Sequence, residues 1–137
     1  MTPKTLTHMA KAYGKMGQIE KGIAITEEAQ KAMDISDEFW YRSENYRVKA
    51  ELMMMREGAD RESEKYFFDA IKTARQQQAR LFELRATVGL CRLYKKQGKI
   101  EEARGMLQEI YGWFTEGFDT KDLQDAKELL DELLSDG

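Results

Sequence analysis

Proline, cysteine and histidine are almost missing from this chain: 137 residues hold one of each, Pro3, Cys91 and His8. One proline leaves the chain without the turn chemistry that a β-sandwich or an α/β domain needs, so composition favours an all-α fold. One cysteine allows no internal disulfide and no zinc cage, and it fits a reducing cytoplasm. Neither sign of charge dominates. The 22 basic and 25 acidic residues give a net charge of −3, which steers the chain toward neither nucleic acid nor an anionic membrane. The longest wholly apolar run, Leu52–Met55, is far too short to span a bilayer. The opening stretch "MTPKTLTHMAKAYGKMG" has no apolar core of signal-peptide type.

Apolar residues (42%) and charged residues (34%) are both plentiful, which is the composition of amphipathic helices rather than of a disordered chain. Three glycines organise them. Gly17, Gly58 and Gly98 stand 41 and 40 residues apart. Each follows an aromatic residue or methionine by four positions (Tyr13, Met54, Tyr94) and precedes a small residue by five (Gly22, Ser63, Ala103). Such a spacing predicts helix–turn–helix pairs, with glycine in a left-handed conformation ending the first helix and small residues letting the second approach it. Apolar residues at helical period support this, for example Ile100, Ala103, Leu107, Ile110 and Phe114.

Helices are therefore expected near 3–15, 18–34, 37–56, 61–78, 81–97, 100–114 and 120–134, in one domain covering 1–137. Thr2-Pro3 starts the first, and Ser36, Asp60 and Thr120 are candidate caps for later ones. The third and fifth helices are apolar on more than one side, as inner helices of a stack must be. The last, "KDLQDAKELLDELL", has one apolar face (Leu123, Ala126, Leu130, Leu133) and an acidic outside, which suits a solenoid cap. In "IYGWFTEGFDT", Gly112 and Gly117 are expected to release the chain from the sixth helix, with Phe118 folding back on the stack. The alternative is a ligand pocket under Trp113 and Phe118.

The pattern small-x-x-Tyr-x-x-x-Gly-x-x-x-x-Ala resembles the tetratricopeptide repeat, and "CRLYKKQGKIEEARGML" is its best copy, through Tyr94, Gly98 and Ala103. The other copies depart at Gly22, Met54 and Ser63, and the period exceeds the ~34 residues usual for this repeat. Over residues 8–134 the chain also resembles the C-terminal tetratricopeptide region of large bacterial signalling proteins that carry an AAA-type ATPase module, often with a nucleotide-cyclase or transcription-regulator domain. "ELRA" and "YGWFTEGFDT" are the specific parts of that resemblance. It implies an all-α right-handed superhelix of three helix pairs (about 3–34, 37–78 and 81–114) with a cap helix, acting as a regulatory, partner-binding module. The stretch carries no phosphate loop, cyclase domain or DNA-binding helix pair of its own.

No catalytic, cofactor or metal constellation stands out. His8 reads as a solvated residue near Lys4 and Lys11, and Cys91 as a small buried hydrophobe with no histidine near in sequence. Adjacent carboxylates such as Glu101-Glu102 point apart on a helix. Of Met53, Met54 and Met55, at least one must point away from its own pair. In tetratricopeptide stacks the first helices line a concave groove, and matching the chain to those positions selects Lys4, Lys11 and Lys15, then Arg85, Arg92, Lys95 and Lys96. In the second pair two registers are open: Asn45, Leu52 and Arg56, or Glu44, Arg47 and Glu51. The expectation is a non-enzymatic module whose partly basic groove takes an acidic peptide or helix of another protein. The alternatives are cations that only solubilise the surface, an effector-sensing domain, and self-association of two copies through Leu6, Met9 and Tyr13 of the uncovered first pair.

Overall fold

A computed structural model of the protein describes residues 1–36 and 39–136, and these form seven α-helices with no strand. They are α1 (Pro3–Lys15), α2 (Ile19–Ile35), α3 (Arg42–Met55), α4 (Asp60–Gln76), α5 (Arg80–Lys96), α6 (Ile100–Tyr111) and α7 (Lys121–Asp136). A short 3-10 turn, Phe39–Tyr41, leads into α3. Consecutive helices pack as antiparallel neighbours. The odd helices also touch one another, α1 on α3, α3 on α5 and α5 on α7. The odd helices therefore make the inner layer and α2, α4 and α6 the outer one. The fold is an all-α helical-repeat superhelix.

The helix ends follow from local chemistry. Thr2 caps α1 by accepting the Thr5 N–H at 3.2 Å, and Pro3 takes the first helical position, where no N–H is needed. Gly17 and Gly98 are left-handed (φ 78° and 80°), and the next residue's N–H reaches back to the Tyr13 and Tyr94 carbonyls at 2.9 and 2.8 Å. The same closure recurs between α4 and α5 without a glycine. Gln78 adopts φ 56° and Ala79 N–H bonds the Ala74 carbonyl at 2.9 Å. Gly58 is left-handed too, but α3 has already stopped at Met55, and Gly58 sits in the loop that follows.

Several expected ends shift. Ser36 closes α2, its hydroxyl donating to the Ala32 carbonyl at 2.8 Å, instead of opening α3. The expected helix start at 37 and 38 lies outside the described residues, and 39–41 is a 3-10 turn. Asp60 is the first residue of α4 rather than its cap, which is Ala59. The sixth helix stops at Tyr111, three residues early, because Gly112 ends it. Gly112 and Trp113 continue only as a turn and Phe114 leaves it, with the Trp113 and Phe114 N–H groups bonding the Ile110 and Tyr111 carbonyls.

Small residues set the close approach within each pair. A Cβ on Gly22 would stand 3.0 Å from both the Ala10 carbonyl oxygen and Leu52 Cδ1. The Ser63 hydroxyl donates to the Ala50 carbonyl at 2.7 Å, and the Cys91 thiol to the Ala103 carbonyl at 3.3 Å. Between pairs, Gly89 packs directly on the ring of the fully buried Phe67. The cap α7 buries Leu123, Ala126, Leu130 and Leu133 as expected, and Leu129 as well. Leu6 is spent inside the first pair against Ala29 and Met33. Met53 is buried, Met54 packs partly on the core, and Met55 faces solvent.

Candidate functional site, a groove along the odd helices

The inner layer encloses an open groove of about 620 Å³, lined by α1, α3, α5, α7 and Tyr41. Asn45 decides the register left open in α3. It is 2% exposed, its amide donates to the Thr26 carbonyl at 2.9 Å, and its Oδ1 accepts from the Thr7 hydroxyl at 2.9 Å. It therefore ties α1, α2 and α3 together inside the protein. One position away, Glu44, Arg47 and Glu51 turn to the groove.

The floor of the groove is a chain of alternating charges. Arg47 Nε donates to Glu44 at 2.8 Å and its Nη1 to Glu51 at 2.5 Å. Arg85 Nη1 donates to Glu44 at 2.6 Å, and its Nε and Nη2 reach both oxygens of Asp122 at 3.0 to 3.1 Å. Glu44, 2% exposed, thus sits between two guanidinium groups. Burial works against the charge on Arg47, but Glu51 and Glu44 more than offset it and hold the group above its ordinary pKa. Arg85 is likewise raised, burial opposing and its bonds to Asp122 and Glu44 prevailing. Both arginines are therefore neutralised within the fold.

The remaining cations behave differently. Lys11, Lys15 and Arg92 line the groove, and among the described residues none has a carboxylate within ion-pair distance. Lys121, on α7, pairs with Asp125 at 2.9 Å. Six cations and four carboxylates line the groove in all, so its excess positive charge resides in Lys11, Lys15 and Arg92.

Three of the expected groove residues are elsewhere, the first being Lys4, whose Nζ lies 5.8 Å from the Trp40 ring centre and 5.9 Å from that of Tyr41. Lys95 lies at a neighbouring recess beside α7 and donates to Glu132 at 2.9 Å. Lys96 reaches away from the groove toward Asp60 at the start of α4, 3.4 Å distant. Both stand in the last turn of α5, where long side chains reach the carboxylates of neighbouring helices. Sequence reasoning also missed residues that matter. His8 is exposed as expected, yet it lines the groove, with Nε2 3.3 Å from the Tyr41 hydroxyl. Asp122 and Asp125 close the groove from α7, and no periodicity signals that.

The other sites weighed from sequence hold no comparable arrangement. Cys91 is buried, and burial pushes its thiol up to about 12, which leaves no thiolate nucleophile at neutral pH. Trp113 lies under the guanidinium of Arg80, 5.5 Å from the ring centre, while the Phe118 ring meets Tyr111 at a 53° tilt, 5.7 Å between centres, so the two do not converge on one pocket. Among the described residues no cluster of ligating side chains is placed to hold a metal ion, and no helix is long and apolar enough to cross a membrane.

A helical-repeat stack of this form is typical of binding modules rather than catalysts. A family model described as "PPR repeat", a repeat of tetratricopeptide-like helical type, matches residues 4–32, which span α1, its turn and most of α2. Comparison with curated proteins and with solved structures found no match. Repeats of this kind mediate binding to protein or RNA.

Proposed function

We propose that the chain is a protein-interaction module that holds an acidic segment of a partner protein in its groove. The carrying observation is the division of charge among the groove cations. Arg47 and Arg85 are consumed by the floor, whereas Lys11, Lys15 and Arg92 face the groove with no partner among the described residues. Solvent-exposed, unpaired cations on a rigid wall attract carboxylates, and preformed helices keep the ordering cost of binding low.

RNA is the less suitable occupant. Binding single strands relies on aromatic faces that stack bases. Among the described residues the rings along this groove are the His8 imidazole and the buried Tyr41, while the exposed rings of Phe39 and Trp40 stand at one end and not along its length. An open polar trough also suits an extended peptide better than a small effector, which needs to be enclosed on most sides. The resemblance to repeat regions of bacterial AAA-type signalling proteins supports a regulatory, cytoplasmic setting for this binding.

Fluorescence anisotropy tests the reading with a short Glu-rich peptide, a Lys-rich peptide and an oligouridylate of equal charge. The Glu-rich peptide is expected to bind, to weaken with added salt, and to lose about tenfold in affinity when Lys11, Lys15 and Arg92 are all changed to glutamate. Tighter binding of the RNA, or a Glu-rich peptide indifferent to the triple variant, would refute it.

A further inference from the structure

The end of the groove where α1, α3 and α5 begin carries a ledge of aromatic rings that the core does not use. Phe39 and Trp40 stand side by side in the 3-10 turn before α3, 52% and 51% exposed. Phe82 lies half-buried in the first turn of α5. Tyr41 joins ledge to groove. Its ring meets Trp40 edge-on at 5.1 Å and Phe82 at 6.0 Å, and its hydroxyl faces His8 in the groove. The ledge is fixed in place, because Tyr41 is buried and the Gln77 side-chain amide donates to the Phe39 carbonyl at 3.2 Å. The opposite end of the groove, at the turns around Gly17, Gly58 and Gly98, has no exposed aromatic ring among the described residues.

Cations surround the ledge. Lys4 Nζ lies 5.8 Å from the Trp40 ring centre and 5.9 Å from that of Tyr41, with no ion-pair partner among the described residues. The Arg85 guanidinium lies 5.6 Å from the centre of Phe82. Lys11 and Lys15 follow Lys4 on the same face of α1, about 10 and 16 Å farther along at 1.5 Å per residue.

We propose that the groove's partner carries an apolar anchor residue, and that the ledge of Phe39, Trp40 and Phe82 receives it. The proposal rests on the groove reading and adds a polarity to it. The anchor sits at the ledge, and the partner's carboxylates meet Lys11 and Lys15. An extended chain advances about 3.3 Å per residue, so those carboxylates fall about three to five positions from the anchor. Two half-exposed rings offer on the order of 200 Å² of apolar surface, enough to seat one large side chain. The partner is thus a protein segment with one Trp, Phe or Leu beside an acidic stretch, and Lys4 pairs with a carboxylate next to the anchor.

Calorimetric titration decides the matter with four synthetic peptides. Two carry Trp at one end or the other of an Asp/Glu-rich stretch, with two Gly/Ser residues between, and two carry Gly in place of Trp. One Trp order is expected to bind about tenfold tighter than its Gly counterpart. The F39A/W40A variant should erase that advantage and leave the Gly peptides' affinity unchanged, with its circular dichroism matching the native protein. Equal binding of Trp and Gly peptides, or a Trp advantage that survives in the variant, would overturn the ledge and leave the groove reading intact. No binding by any peptide would overturn both. Loss in the variant of binding to anionic phospholipid vesicles, with no Trp-peptide advantage in the native protein, would also overturn it.

Discussion

Alanine at Gly89 would drive a methyl group into the side of Phe67. A Cβ built there meets ring atom Cε1 closer than any real contact allows, with Cζ at 2.9 Å and Cδ1 at 3.2 Å. The ring is fully buried between the second and third pairs, so it has nowhere to turn. Overpacking costs about 1–3 kcal/mol, and three contacts this short against a fully buried ring place it in the upper part of that range, about 2–3 kcal/mol. Replacing a mid-helix glycine by alanine returns about 1 kcal/mol. The net expectation is a loss of roughly 1–2 kcal/mol, or about 3–6 °C in melting temperature for a domain of this size. Gly105 supplies the control. It lies in the middle of α6, exposed, and a Cβ there would touch nothing. The same substitution at Gly105 should therefore stabilise by about 0.5–1 kcal/mol. Urea unfolding followed by circular dichroism measures both. In the double variant with Phe67→Leu, Gly89→Ala should cost at least about 1 kcal/mol less than in the native background, because the smaller side chain makes room. If Gly89→Ala proves neutral or stabilising, the inter-pair contact described here is wrong.

Two further outcomes follow from local structure. Gln78→Gly should stabilise the protein by about 0.5–1 kcal/mol in the same urea assay, since Gln78 holds φ 56°, a conformation that only glycine adopts without strain. A loss of stability would mean that its side chain, at the recess beside Trp113, contributes more than its backbone costs. The second outcome concerns alkaline pH. Burial raises Cys91 from 9.0 to about 12, so the folded state favours the neutral thiol. The stability this contributes is whole below pH 9 and is lost as pH climbs from 9 toward 12. Cys91→Ala should flatten the decline between pH 9 and 10, and an unchanged slope there would contradict the assignment.

Much of the fold was legible because its punctuation is chemical. Gly17 and Gly98 mark left-handed helix ends in the sequence as they do in the structure. Gln78 makes the same turn with no residue that announces it, so the expected fourth helix ran two residues too far. Matching to tetratricopeptide positions put Arg85 and Arg92 on the inner face and Arg47 in one of two open registers, and all three side chains line the groove. What period cannot give is pairing. The bonds that neutralise Arg85 join residues 41 and 37 positions away, Glu44 and Asp122, and only the stacked helices bring them together. For the same reason Lys96, one residue beyond Lys95, could not be assigned to Asp60 instead of the groove before α4 was in place.

The central claim is that the inner helices bind and the outer ones do not, with the unpaired cations of α1 and Arg92 as the contact. Amide chemical-shift mapping of the 16.0 kDa protein with a Glu-rich peptide tests it residue by residue. The expected result is perturbation concentrated at Lys11, Lys15, Arg47 and Arg92, with α2, α4 and α6 silent. Perturbations centred on α4 and α6, or on Lys96 and Asp60, would contradict it.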